Sequence, residues 1–542
     1  MKRFLILIVL VLAGCGDREP EQTPNEVIKQ VNANGTITDP QAEILSKIEG
    51  PLYLNGLTSI SDKQAESLNN IRSISLNGLT SITDQQAKSL SKVKGISLQG
   101  ITSISDAQAE SLSEINHLAL NGLNAITDAQ AESLSKVKFI MLNGLTSITD
   151  AQAEMLSKIE GTLYLNGLTS ITDAQAETLS RIKGLHLSDS CFEQILSYQQ
   201  KLVDKINVSG TIDDGQITIL KSYKGGDLVL SGLRTITDNQ IDALSEIPSL
   251  NLSGLVSITD HQVEILSKLI GGGTLELNKL SSLTDRQAKH LGEVKHLELN
   301  GLKSISDEQA QSLGEVRSLG LNGLTSITDA QAKSLSMNKN KIDLMFSGLR
   351  LNGLTSITDE QAKFLFKINS LELNGLTTIT KLQAKLIITG PTVKLNSLTV
   401  ISDEQAESLS NAINLQLNGL TSITDSQAER LKKTKSQLQL NGLTNISDEQ
   451  AESLSYLLSL ELNGLTSISD KQAEMLNQVE MLSLDGLLTI TDDQAEILSK
   501  IRWLSLTGLT SITDRQARSL SKVENLEISE SLEPLIDKYK KQ

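Results

Sequence analysis

The chain has 542 residues, of which 39% are apolar, 21% charged and only 2% aromatic, and its formal charge is -16. Its 36 glycines and 7 prolines are too few for a disordered or collagen-like polymer, so a large core is available, built from aliphatic side chains rather than rings. A polyanion of this size is repelled by nucleic-acid phosphates and anionic headgroups, which argues against nucleic acid as a partner.

The first element in chain order is a leader. Lys2 and Arg3 precede an unbroken apolar run, Phe4 to Leu12, too short to span a bilayer as a mature helix. It ends in Leu12-Ala13-Gly14-Cys15, which resembles the bacterial lipobox. That resemblance implies cleavage after residue 14, diacylation of the Cys15 sulfur and acylation of the new amino terminus. Several acyl chains anchor stably, because each buried methylene contributes about 0.8 kcal/mol. Gly16 rather than Asp follows the cysteine, so the inner-membrane retention signal of lipoproteins is missing there. The expected location is the bacterial envelope, on the outer membrane where two membranes exist. Residues 15–26 then read as the lipidated cysteine and a short extended tether, polar and carrying Pro20 and Pro24. The only other cysteine, Cys191, is left without a disulfide partner and reads as a small buried residue.

From there on the chain repeats itself. Leu142 to Lys158 reads LNGLTSITDAQAEMLSK, and near-copies begin at Leu54, Leu76, Leu98, Leu120 and Leu165 and from Leu230 to Leu506, mostly 22 residues apart. The alternating L-x-L stretch predicts a short strand with both leucines inward. Asn-Gly turns the chain, and Leu145 and Ile148 continue the inward row. Thr149 and Gln152 match a capping box, with Asp150 at the positive end of the helix that follows. Ala153, Leu156 and Ile159 form one buried helical face. A single coil cannot bury that face, but stacked coils can. The pattern resembles the leucine-rich repeat, closest to its cysteine-containing subtype, with Leu57, Leu79 or Leu145 at the cysteine position. The resemblance covers about 90% of the mature chain. It implies an α/β solenoid, a horseshoe with parallel strands on the concave side and short helices on the convex side.

Irregular repeats divide the chain further. Val31 to Ile37 and Ile206 to Ile212 are shortened repeat starts, and Leu185 to Ser190 parallels Leu526 to Ser531 as a terminator. Exposed solenoid ends need atypical capping repeats. The pairing therefore predicts two capped arcs, residues 27–199 and 200–542, with bulged loops at Gly271 to Gly273 and near Met337 to Phe346.

Chemistry is expected on the strand side. Tyr53, His117, Phe139, Met141, Tyr164 and His186 are the candidate ligand-binding residues of the first arc, because the chain uses few rings elsewhere. The second arc presents Glu276, Glu298, Glu372, Glu461 and Glu527, with Trp503 near its end, and Asn55, Asn77, Asn121, Asn143 and Asn166 form a further column in the first. No catalytic residue, metal ligand set or cofactor motif is legible. The recurring aspartates, such as Asp62, Asp84 and Asp150, read as helix caps rather than catalytic groups or a calcium column. The expected function is a membrane-anchored, non-enzymatic scaffold that binds an envelope or extracellular protein or polysaccharide. The alternative is a spacer or surface-coat element without a discrete ligand.

Overall fold

The computed structural model describes residues 22–223, 225–269, 273–337, 348–387 and 392–540. The leader, Cys15 and most of the tether lie outside them, as do Gly271, Gly272 and residues 338–347, where the sequence predicts a bulged loop. Among the described residues the repeats fold as read: a strand of two to four residues, a tight turn, then a helix usually of seven, such as Phe139–Met141 followed by Asp150–Leu156. Each strand pairs in parallel with the strand of the next coil. The result is a seven-stranded sheet from Leu52–Tyr53 to Gly184–Leu187 and a fourteen-stranded sheet from Leu228–Val229 to Asn525–Ile528. The chain is an α/β leucine-rich repeat solenoid. It forms two compact units, Met1–Leu202 with Thr218–Lys224 and Val203–Ile217 with Gly225–Gln542.

The inward row of one coil shows what holds the stack. Ile140, Leu142, Leu145, Ala153 and Leu156 are fully buried, and each fully buried Leu or Ile stabilises by about 1.5–3 kcal/mol. Most repeat helices begin at Thr or Ser caps whose hydroxyls accept the amide of the Gln three residues on, while the Gln side chain accepts the cap's amide, as for Thr149 and Gln152. The glycine of the Asn-Gly turn after each strand is not in the left-handed region; among the described glycines positive φ occurs only at Gly35, Gly210 and Gly226. Its role is spacing. A Cβ on Gly144 would sit 2.3 Å from the Asn121 carbonyl oxygen of the preceding coil.

The ends differ from the coils. Residues 24–26, read as tether, form the first turn of the helix Pro24–Asn34, with Thr23 as its cap and Pro24 at the first position, where a missing N–H costs nothing. The shortened starts are helix ends, not strands. In the first unit Asn32 donates to the Tyr53 carbonyl (3.0 Å) and accepts from the Gly56 amide (2.8 Å). In the second, Asn207 does the same with Val229 (2.9 Å) and Gly232 (2.8 Å). Gly35 and Gly210, both left-handed, then release the chain from its helix. Each terminator supplies the last strand of its sheet, Gly184–Leu187 and Asn525–Ile528, and runs into a helix, Asp189–Ser209 and Glu533–Lys540. Cys191 and Ile195 are buried at one, Leu532 and Ile536 at the other. Cys191 donates its thiol to the Leu168 carbonyl at 3.4 Å. The boundary read at 199/200 lies within one helix, Asp189–Ser209. No helix among the described residues is long and apolar enough to cross a membrane.

Candidate functional site

Strand residues alternate inward and outward, so two outward columns run across each sheet. In the first unit one column reads Ser73, Gly95, His117, Phe139, Thr162 and Gly184, and the other reads Tyr53, Ser75, Ser97, Ala119, Met141, Tyr164 and His186. Five of the six candidate residues come together. His117 and Phe139 have ring centroids 5.4 Å apart, and so do Phe139 and Tyr164. Tyr164 and His186 are stacked at 4.1 Å with an interplanar angle of 3°. Met141 pairs in register with Tyr164. The run crosses from one column to the other between Phe139 and Tyr164, a diagonal reach that aromatic side chains can bridge.

Tyr53 stands apart. It is four strands from Met141, roughly 19 Å at the usual strand spacing, and 59% exposed. Between it and His117 lies a trough of about 370 Å³ floored by Ser73, Ser75, Gly95, Ser97 and Ala119, with Phe139 on the far wall. The candidates therefore bound one surface from opposite ends. His117 and His186 are three strands apart, roughly 14 Å, too far to act as a pair. No cluster of three or more His, Cys, Asp or Glu able to hold a metal ion occurs among the described residues.

The asparagine column is already occupied. Asn121 accepts the Asn143 amide at 3.1 Å, and Asn143 accepts the Asn166 amide at 3.0 Å, so each side chain ties one turn to the next. The ladder runs on through the second unit from Asn278 to Asn463 and then Asp485, whose carboxylate accepts from Ser505 (2.6 Å) and the Thr507 amide (2.9 Å). The repeated aspartates are used in the same way: Asp84 accepts the Ser105 hydroxyl of the next coil at 2.7 Å, and Asp106 that of Thr127 at 2.9 Å.

In the second unit the outward acids are mostly paired. Glu298 meets Arg350, Glu372 accepts from Lys394 at 2.7 Å, and Glu276 accepts from Asn251 at 2.7 Å. Burial first, and the neighbouring Glu298 charge second, push the Glu276 carboxyl above its ordinary range. Burial, followed by Arg317, Lys295 and Arg350, holds the His296 imidazole below its ordinary value.

No protein-family model matches the chain, and no curated protein sequence matches it. Among solved structures, the crystal structure of a TLR13–ssRNA13 complex is similar over 89% of this chain and 86% of that one, at 17% sequence identity and a TM-score of 0.36. The RNA in that complex is TLR13's partner, and so distant a likeness transfers neither ligand nor activity.

Proposed function

We propose that the protein is a lipid-anchored scaffold of the bacterial envelope, tethered through Cys15, that binds a protein or polysaccharide on the strand face of its first unit. The observation that carries this reading is the continuous run His117–Phe139–Tyr164–His186 beside a trough of small side chains, in a chain with only 2% aromatic residues. Half-buried rings such as Phe139 beside a floor of small side chains make anchors at low conformational cost. The reading is non-enzymatic and needs no cofactor. The acidity of the chain, and a trough lining without lysine or arginine, weigh against nucleic acid.

The test is crosslinked capture from intact cells with the full chain and with a Phe139→Ala/Met141→Ala/Tyr164→Ala variant. Loss of one specific envelope protein or polysaccharide from the variant supports the reading; an identical captured set moves the site elsewhere. The spacer reading draws on a separate observation. Along most of the second sheet the outward polar groups bond to one another, which is what a passive stack requires. Deleting two central repeats of that unit should then leave capture by the first unit unchanged.

A further inference from the structure

We propose a second ligand site, on the strand face of the second unit, that takes a neutral oligosaccharide. It goes beyond the first-unit reading and does not depend on it. Here the ladder of mutually bonded groups opens into a trough of about 290 Å³ lined by Asn414, Ser436, Gln437, Ser459, Leu460, Glu461, Met481 and Trp503, at the small end of ligand-site volumes.

Register explains the opening. Gln437, Ser459, Met481 and Trp503 follow one another across four strands, and Gln439, Glu461, Ser483 and Ser505 form the parallel column. Ser436 and Ser459 supply the hydroxyls of the lining, with Glu461 on the strand of Ser459 and Trp503 two strands on, while the buried Ser483 and Ser505 are held by Asn463 and Asp485. Glu461 and Trp503 stand on a diagonal, two strands and two residues apart, roughly 12 Å, which leaves room for a sugar ring between them.

The walls suit hydroxyls and a C–H face. Glu461 Oε1 accepts from the side-chain amides of Gln437 (2.7 Å) and Gln439 (2.8 Å), and Oε2 accepts from Asn441 (3.2 Å). A carboxylate offers about four acceptor positions, so the three amides fix its orientation and leave capacity for a ligand hydroxyl. Such a bond to an ionised acceptor is stronger than one between neutral groups. Trp503, the chain's one tryptophan, is half-buried, and the close ring pairs among the described residues all lie in the first unit. The face of an indole is electron-rich and attracts the slightly positive C–H groups of a sugar ring. Met481 beside it is flexible enough to follow the ligand's outline. The lining holds a carboxylate and no basic side chain. Anionic sugars are repelled there, while neutral ones meet acceptors, hydroxyls and a ring.

Because the chain contains one tryptophan, emission from the full-length protein reads this trough directly. Titration with maltotetraose and with fully N-acetylated chitotetraose, both neutral, should give a saturable shift for at least one of them, whereas a polygalacturonate tetramer should give none. Glu461→Gln should weaken the response at least tenfold. Trp503→Ala, with native circular dichroism, should abolish the heat of binding in calorimetry. Tyr164→Ala, in the first unit, should leave the titration unchanged. Absence of a saturable response up to about 10 mM, a response to the anionic tetramer alone, or equal binding by Glu461→Gln with native circular dichroism would each overturn the proposal.

Discussion

Gln152 and Ile126 belong to neighbouring coils, and the Gln152 side-chain amide donates to the Ile126 carbonyl at 2.8 Å. The same side chain closes the capping box of its own helix, its oxygen accepting the Thr149 amide at 2.9 Å. The double bond-making recurs along both units, at Gln86 with Ile60, Gln331 with Ile305 and Gln516 with Ile490. One buried amide thus caps a helix and fastens it to the coil before. Glu in its place would keep the cap and lose the fastening.

Gln152→Glu should therefore cost about 1–3 kcal/mol, the penalty for a buried carbonyl left without its donor. Thr149→Ala, which removes only the cap's hydroxyl, should cost about 1 kcal/mol. Urea denaturation followed by circular dichroism ranks the two. A Gln152→Glu loss no larger than that of Thr149→Ala would mean that the bond between coils is idle.

Gly144→Ala should destabilise by about 1–3 kcal/mol through steric overpacking. The new Cβ would lie 2.3 Å from the Asn121 oxygen and 2.5 Å from the Leu123 oxygen, both backbone atoms that cannot rotate aside. Gly50, with no heavy atom within 4 Å of such a Cβ, provides the control, and Gly50→Ala should be neutral or stabilise by up to about 1 kcal/mol. Equal melting temperatures for the two variants would contradict close coil stacking at the Asn-Gly turn.

His296 ties the stability of the second unit to pH. Its folded-state pKa lies below the ordinary value of 6.5, so between those two values the unfolded chain binds more protons and stability rises with pH. This contribution is fully present above pH 6.5 and is lost as pH falls through the folded-state pKa. His296→Asn should flatten that part of the profile. Denaturation midpoints at pH 7.5 and 5.5 measure it; an unchanged difference between the two pH values would assign the dependence to other groups.

Much of this was legible in the sequence because a solenoid repeats its own local signals. Leu142, Leu145, Ala153 and Leu156 announce the core by spacing, and Thr149 with Gln152 announces the helix start. What escaped is contact between coils. Nothing local in Asn143 shows that its oxygen takes the Asn166 amide, and nothing in Gly144 shows which carbonyl lies against it. Those partners are about one repeat away in sequence and become neighbours only when the coils stack. The site was half legible for the same reason. The rings could be assigned to the outward face, but their division into a contiguous run and a distant Tyr53 depends on register. Pro24 was misplaced because a proline after a polar stretch fits a tether as well as the first turn of a helix.

The opening caps permit a test of whether the two units are independently stable. Asn207 satisfies the Val229 carbonyl and the Gly232 amide at the first coil of the fourteen-stranded sheet, as Asn32 does for Tyr53 and Gly56 in the other. In a stacked array each coil supports its neighbours, so loss of a cap frays the array from that end. Asn207→Ala should raise amide exchange at Leu228, Leu230 and Leu233, with a local loss of about 1–2 kcal/mol. Asn32→Ala should do so at Leu54, Leu57 and Thr58. Protection at Leu118, Leu120 and Leu142 should not respond to Asn207→Ala if the units fold separately. A uniform loss of protection through both sheets after either substitution would instead establish a single cooperative array.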